Sequence, residues 1–223
     1  MLDEHKRELI ELDPFGEVHL SGGFGQKSFR FGDLVWMGIS PQGIRVVDRL
    51  ENEIVHLDYR LNPIHNVALS QRIFPENAAL DPWGRLYLYS RTYNSIFIFD
   101  KGELESTPFV NFSKEFSSVF CLEKMNINQD GDMALLDCKG MIHFFSRNGQ
   151  KQASFPTTID GATFLVPVRN DWFVFNQNGD GISVLSQERV SIPGASLPVE
   201  DMVSMNRSIA VLSKDHILVL DVK

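Results

Sequence analysis

The chain has 223 residues, of which 43 % are hydrophobic and 22 % charged, enough for one large β domain or two small ones with a real core. Its net charge of −8 sets it against phosphate backbones, so nucleic acid is not an expected partner, and no apolar run reaches the ~18 residues of a membrane span. Two cysteines are too few for a disulfide scaffold.

In chain order, "MLDEHKRELIELD" is too charged for a signal peptide. The protein is then cytoplasmic, or periplasmic or extracellular with its signal removed. "DEHKRELIEL" has helical character in isolation, but its end, Leu9 to Asp13, matches a strand that recurs downstream, and "PFGEVHLSGG" matches the turn and outer strand after it. From there the predicted elements are strands in pairs. "IRVVD" (Ile44 to Asp48) leads through "RLENE" to "IVHLD" (Ile54 to Asp58). "LYLYS" (Leu86 to Ser90) leads through a short loop to "IFIFD" (Ile96 to Asp100). "MALLD" (Met133 to Asp137) precedes "IHFFS" (Ile142 to Ser146), and "WFVFN" (Trp172 to Asn176) precedes "ISVLS" (Ile182 to Ser186). "IAVLS" (Ile209 to Ser213) and "ILVLD" (Ile217 to Asp221) close the series.

Strand signals at a spacing in the upper thirties to upper forties are those of propeller blades. Alternation within the strands is loose, as expected where both faces of a blade are covered. The reading is a single all-β propeller domain over 1–223, with five blades and six as the alternative. Residues 1–21 supply closing strands, and the blades run approximately 22–69, 70–112, 113–156, 157–193 and 194–223. "EVHL" then completes a last blade that lacks an outer strand, because an open set would leave strand edges unpaired. "LIELD" and "ILVLD" compete for one third-strand place, which keeps six blades open.

"LDPWGRLYLYSRTYNSIFIFDKGE" resembles the NHL repeat through Asp81, Pro82, Gly84, Asn94, Ile96, Phe99, Asp100 and Gly102. The preceding copy keeps Pro41, Gly43, Asp48, Asn52, Ile54 and Asp58, and the following one Gly131, Asp137 and Ile142. "DPFGEVHLSGGFGQKSFRFGD" resembles the linker between such repeats. The resemblance implies a propeller. Similar propellers bind proteins, RNA or small ligands, and a few are lyases or lactonases.

The motif glycines have a turn role, since hairpins need a residue tolerant of positive φ. "NINQDG" (Asn126 to Gly131) and "NQNGDG" (Asn176 to Gly181) resemble calcium loops in part, but both lack the leading Asp, and Asp137 stands where the first would need Glu. No cofactor is expected, with calcium the weaker alternative. The six histidines show no zinc spacing, and no Gly-x-Ser-x-Gly elbow is present.

If Asn128 to Gly131 forms a turn with Ile127 facing Asp132, then counting outward sets Cys121 opposite Cys138, within disulfide reach. A turn centred on Asp130 and Gly131 separates them, and two reduced thiols are the competing reading. A bond would indicate an oxidising compartment.

The loops after second strands and the links entering first strands ("FRFGD", "FPEN", "FSSVF") share one rim in a propeller. Arg49, Glu51, Arg91, Tyr93, Lys139 and Asp215 are the rim candidates, with Arg49, Arg91 and Tyr93 the kind of set enriched at protein contacts. Phe74 and Phe116 are expected to wedge between blades, and Trp83 to pack against the next one, with an exposed anchor as the alternative. The expected function is non-catalytic: a scaffold presenting rim loops to a protein partner or a small ligand. The rival is a metal-dependent hydrolase, lactonase or lyase using the central channel.

Overall fold

The computed structural model describes residues 1–13, 15–23, 30–117, 119–205 and 207–222. Residues 24–29 of the linker-like stretch, including the start of "FRFGD", lie outside them, as does Ser118 of "FSSVF". Chain contacts divide the protein into two compact units, Met1–Ser113 and Lys114–Lys223.

The first unit holds three antiparallel sheets. β1 (Leu2–Asp3), β2 (Glu8–Leu12) and β3 (Val18–Gly22) form the first. β4 (Leu34–Ser40), β5 (Gly43–Asp48), β6 (Glu53–Leu57) and β7 (Pro63–Ala68) form the second, in sequence order. The third combines β8 (Asn77–Leu80), β9 (Leu86–Ser90), β10 (Ser95–Asp100) and β11 (Glu103–Leu104), with β12 (Val110–Asn111) also on β10. A single helical turn, α1 (Phe112–Glu115), follows.

The second unit repeats the pattern. β13 (Leu122–Ile127), β14 (Met133–Asp137), β15 (Met141–Phe145) and β16 (Lys151–Pro156) make one meander. β17 (Ala162–Val168), β18 (Asp171–Asn176), β19 (Asp180–Ser183) and β20 (Arg189–Ser191) make the next. β21 (Val199–Met205), β22 (Ser208–Ser213) and β23 (Ile217–Asp221) end the chain as a three-stranded sheet.

Six sheets are therefore present among the described residues, not five. Among the described residues, the N-terminal stretch adds no strand to the last sheet. Its strand β3, which contains most of "EVHL", pairs with β2 from Glu8↔Gly22 to Leu12↔Val18. The physical reason is local. A hairpin closes over a few residues, whereas closure onto β23 would order most of the chain first, and loop-closure entropy grows with length. Leu9 is fully buried with Phe31 and Leu34, which anchors this first sheet on the second.

One turn recurs. At Asp13, Asp58, Asp81, Asn128 and Ser146, the amide of residue i donates to the carbonyl of i+4, and the amide of i+3 to the carbonyl of i. The side-chain oxygen of residue i accepts from the amides of i+2 and i+4, at 2.8 and 2.8 Å at Asp13 and 2.9 and 2.8 Å at Asp81. This is the three-residue hairpin loop with a left-handed fourth position, which Gly84 fills at φ 90°. Leu61 stands in that position at φ 61°, held there by burial in the core.

Where both faces of a strand are covered its residues are buried throughout. All five residues of β9 are buried. Leu86 and Leu88 share a core with Val47 and Ile54 of the second sheet. Tyr87 and Tyr89 face the other way, onto Phe109 and Phe112. Among the described residues β23, by contrast, is an edge. Its partner bonds run through His216 and Val222 to β22, so the N–H and C=O groups of Ile217, Val219 and Asp221 point outward. The side chains of Ile217 and Val219 are exposed as well, while Leu218 and Leu220 pack inward.

Candidate functional site

The second-to-third-strand loops of the first unit lie beside the link between β7 and β8, and buried polar side chains tie all three together. Asn52, 6 % exposed and at φ 56°, holds the link from both directions. Its Nδ2 donates to Gln71 O at 3.1 Å and Leu69 O at 3.4 Å, while its Oδ1 accepts from Ile73 N and Phe74 N, each at 3.1 Å. The buried Ser90 hydroxyl donates to Ile73 O at 2.5 Å and accepts from Tyr93 N at 3.4 Å. Asn94, at φ 46°, closes the Arg91 turn, and its Nδ2 reaches the Ser113 hydroxyl at 3.1 Å. The two asparagines of the repeat thus occupy left-handed turn positions, which suit Asn among residues with a side chain.

Asp48 anchors the next loop. Buried to 1 % exposure, it accepts from Gly32 N, Asp33 N and Glu51 N at 2.5, 2.9 and 3.2 Å. Beside it the Arg49 guanidinium pairs with Asp33 at 2.6 Å. Arg91 and Glu51 are exposed. Tyr93 is 43 % exposed and meets Phe97 edge to face, with ring centroids 5.8 Å apart.

Arg49, Glu51, Arg91 and Tyr93 therefore belong to braced loops of neighbouring sheets. Lys139 and Asp215 belong to the second unit. The Lys139 amide donates to Asp137 at 2.8 Å, and Asp215 binds the His216 ring at 2.5 Å. Hydrogen bonds from the Ser196 hydroxyl and from His216 hold the Asp215 carboxyl below its usual range. Sequence reasoning passed over Arg72 and Leu50, both exposed near these loops, and assigned Phe74 to packing, whereas it is 38 % exposed. Trp83 is also corrected: it is 58 % exposed, with the Arg85 guanidinium 5.8 Å from its ring. A turn tip surrounded by backbone offers an indole no pocket, so a neighbouring cation covers one face instead.

Asp81 beneath it is buried. Its carboxylate takes Arg85 Nε at 2.7 Å, and Tyr87 nearby is pushed up to about 12, chiefly by burial. His56 stacks on His65 with centroids 4.3 Å apart, and burial, then His65 and Arg45, lowers it to about 4.

In the second unit, Cys121 and Cys138 are joined by a disulfide with Cα atoms 5.5 Å apart. The register differs from the sequence expectation at the turn, where Ile127 faces Met133 rather than Asp132. A bulge between Leu122 and Lys124 shifts the pairing back, so Leu122 faces Asp137 and the cysteines are again opposite. His143 lies close by, bonded to Ser154 at 2.8 Å and Asp137 at 3.3 Å and flanked by Phe116 and Phe120, with its pKa lowered mainly by burial.

The two calcium-like loops use their amides internally. Asn128 Oδ1 accepts from Asp130 N and Asp132 N, and Asn176 Oδ1 from Asn178 N and Asp180 N. Among the described residues no group of three His, Cys, Asp or Glu gathers as metal ligands. No helix among them is long and apolar enough to cross a membrane.

The chain matches no family model and no curated protein. It is similar to solved structures of β-propellers, and its fold is that of a six-bladed β-propeller. Virginiamycin B lyase from Staphylococcus aureus superposes at a TM-score of 0.64 with 12 % identity, covering 99 % of this chain and 75 % of the lyase. YCF48 bound to D1 peptide gives 0.64 with 15 % identity over 95 % of this chain and 70 % of that one. BBS1N in complex with ARL6DN gives 0.60 with 12 % identity over 92 % and 68 %.

Proposed function

We propose that the protein is a non-catalytic propeller that binds a polypeptide through the loops 49–52, 71–76 and 91–94 of its first unit. The observation that carries this is the bracing by Asn52 and Ser90, which fixes three loops while leaving Leu50, Phe74 and Tyr93 exposed beside Arg72 and Arg91. Aromatic side chains lose little rotamer entropy on docking, and aromatics and arginine are the types that anchor interfaces. Two of the similar propellers are held with a peptide or a protein partner, which supports the reading at the level of fold. The repeats are of the NHL type on this reading, supported by the structural use of Asp48, Asn52, Asp81 and Asn94.

Selection of a displayed random peptide library on the purified protein tests it. Wild type is expected to enrich a consensus that a Phe74→Ser/Tyr93→Ser variant fails to retain. No consensus, or one retained equally by the variant, would refute the assignment.

A further inference from the structure

The first strands β13, β17 and β21 of the second unit pack side by side, so the turns that follow them gather at one end of that unit. Those turns carry Gln129, the pair Arg169–Asn170, and Arg207, and these four exposed residues line an open surface cavity of about 450 Å³. Among the described residues no carboxylate contributes to the lining, although acidic residues outnumber basic ones 29 to 21 in the chain. Neither guanidinium has a carboxylate partner among the described residues. Two arginines sharing a cavity repel each other, and an anion between them reverses the sign of that interaction.

The backbone carries a second signal. β17 and β18 are paired from Val168↔Asp171, which leaves Arg169 and Asn170 as a two-residue hairpin turn. Arg169 has φ 55°, a left-handed conformation at the first turn position, where glycine or asparagine is favoured. An arginine held there costs stability, and strained positions of this kind cluster where a side chain serves a ligand.

We propose that this cavity binds a small molecule through a carboxylate or phosphate group clamped by Arg169 and Arg207. Guanidinium is the side chain suited to both oxyanions, because its planar fork donates two parallel hydrogen bonds. The Asn170 carboxamide supplies donors and an acceptor for the rest of the ligand. The volume lies within the roughly 300–1,000 Å³ usual for small-molecule sites. Its lining residues belong to the second unit and the polypeptide-binding loops to the first, so the two proposals are tested on different residues.

Calorimetric and thermal-shift titrations of the intact protein with succinate and with inorganic phosphate, each against chloride at matched ionic strength, test the proposal. Saturable binding of either probe is expected, and which one binds identifies the oxyanion. Arg207→Gln should weaken it about tenfold or more, as loss of a charge-assisted pair does. Arg169→Gly should weaken it similarly while raising the melting temperature of the unliganded protein, because the turn is relieved. That rise also shows the variant to be folded. Absence of saturable binding by both probes, or binding unchanged in both variants, would overturn the assignment.

Discussion

Asp81 shows how one side chain can hold a turn and a sheet edge together. Its buried carboxylate accepts from the Trp83 and Arg85 amides and from the Arg85 guanidinium. Asp81→Ala leaves these donors without their acceptor and should cost about 2–4 kcal/mol in urea unfolding. The same change at Asp58, which caps an exposed copy of the turn, should cost less. His56 adds a pH dependence. Its ordinary value is 6.5 and burial lowers it to about 4 in the folded chain. Between those values the unfolded chain takes up a proton that the folded chain refuses, so stability is full above pH 6.5 and falls as pH drops towards 4. His143, lowered in the same direction, adds to the loss. Thermal melts across this range should therefore show a smaller fall for His56→Gln than for wild type. An identical fall would remove His56 from the account.

At the scale of elements, hairpins were legible because their turns announce themselves. Asp81 to Gly84 and Asp13 to Gly16 carry an acidic cap at the start and a glycine at the left-handed place, and strands follow at fixed offsets. The bulge at Glu123 was not legible, since nothing in "CLEKMNI" distinguishes a bulged strand from a regular one. The cysteines nevertheless face each other because the bulge offsets the longer turn. The disulfide closes a span of 17 residues, and a Cys121→Ser/Cys138→Ser variant should lose about 3 kcal/mol by the chain-entropy argument. Denaturant midpoints with and without reductant measure it. Asn52→Gly keeps the left-handed backbone but removes four hydrogen bonds to the β7–β8 link. Proteolysis between residues 69 and 76 should then accelerate, while cleavage within β9 and β10 stays slow.

For the whole molecule, the class of fold was readable from strand pairs at a blade-like spacing, but their number was not. The ambiguity lay in Leu9 to Asp13, which fits a third strand wherever it is placed. The first sheet forms because the Asp13 turn lets β2 and β3 pair locally and Leu9 finds a core beside Phe31. The candidate sites were legible to different degrees for a related reason. Arg49, Arg91 and Tyr93 lie on loops that the repeat itself marks. Gln129, Arg169 and Arg207 come from three turns about forty residues apart, and only the packing of successive first strands brings them to one cavity.

The edge strand β23 leaves a signature in hydrogen exchange. Its amides alternate between β22 and solvent, so Leu218 and Leu220 should exchange slowly while Ile217, Val219 and Asp221, next to them in sequence, exchange fast. Protection at every residue instead would mean that another strand lies along this edge in solution. Amide-resolved exchange therefore reads, from five consecutive residues, whether the last sheet works with three strands or four.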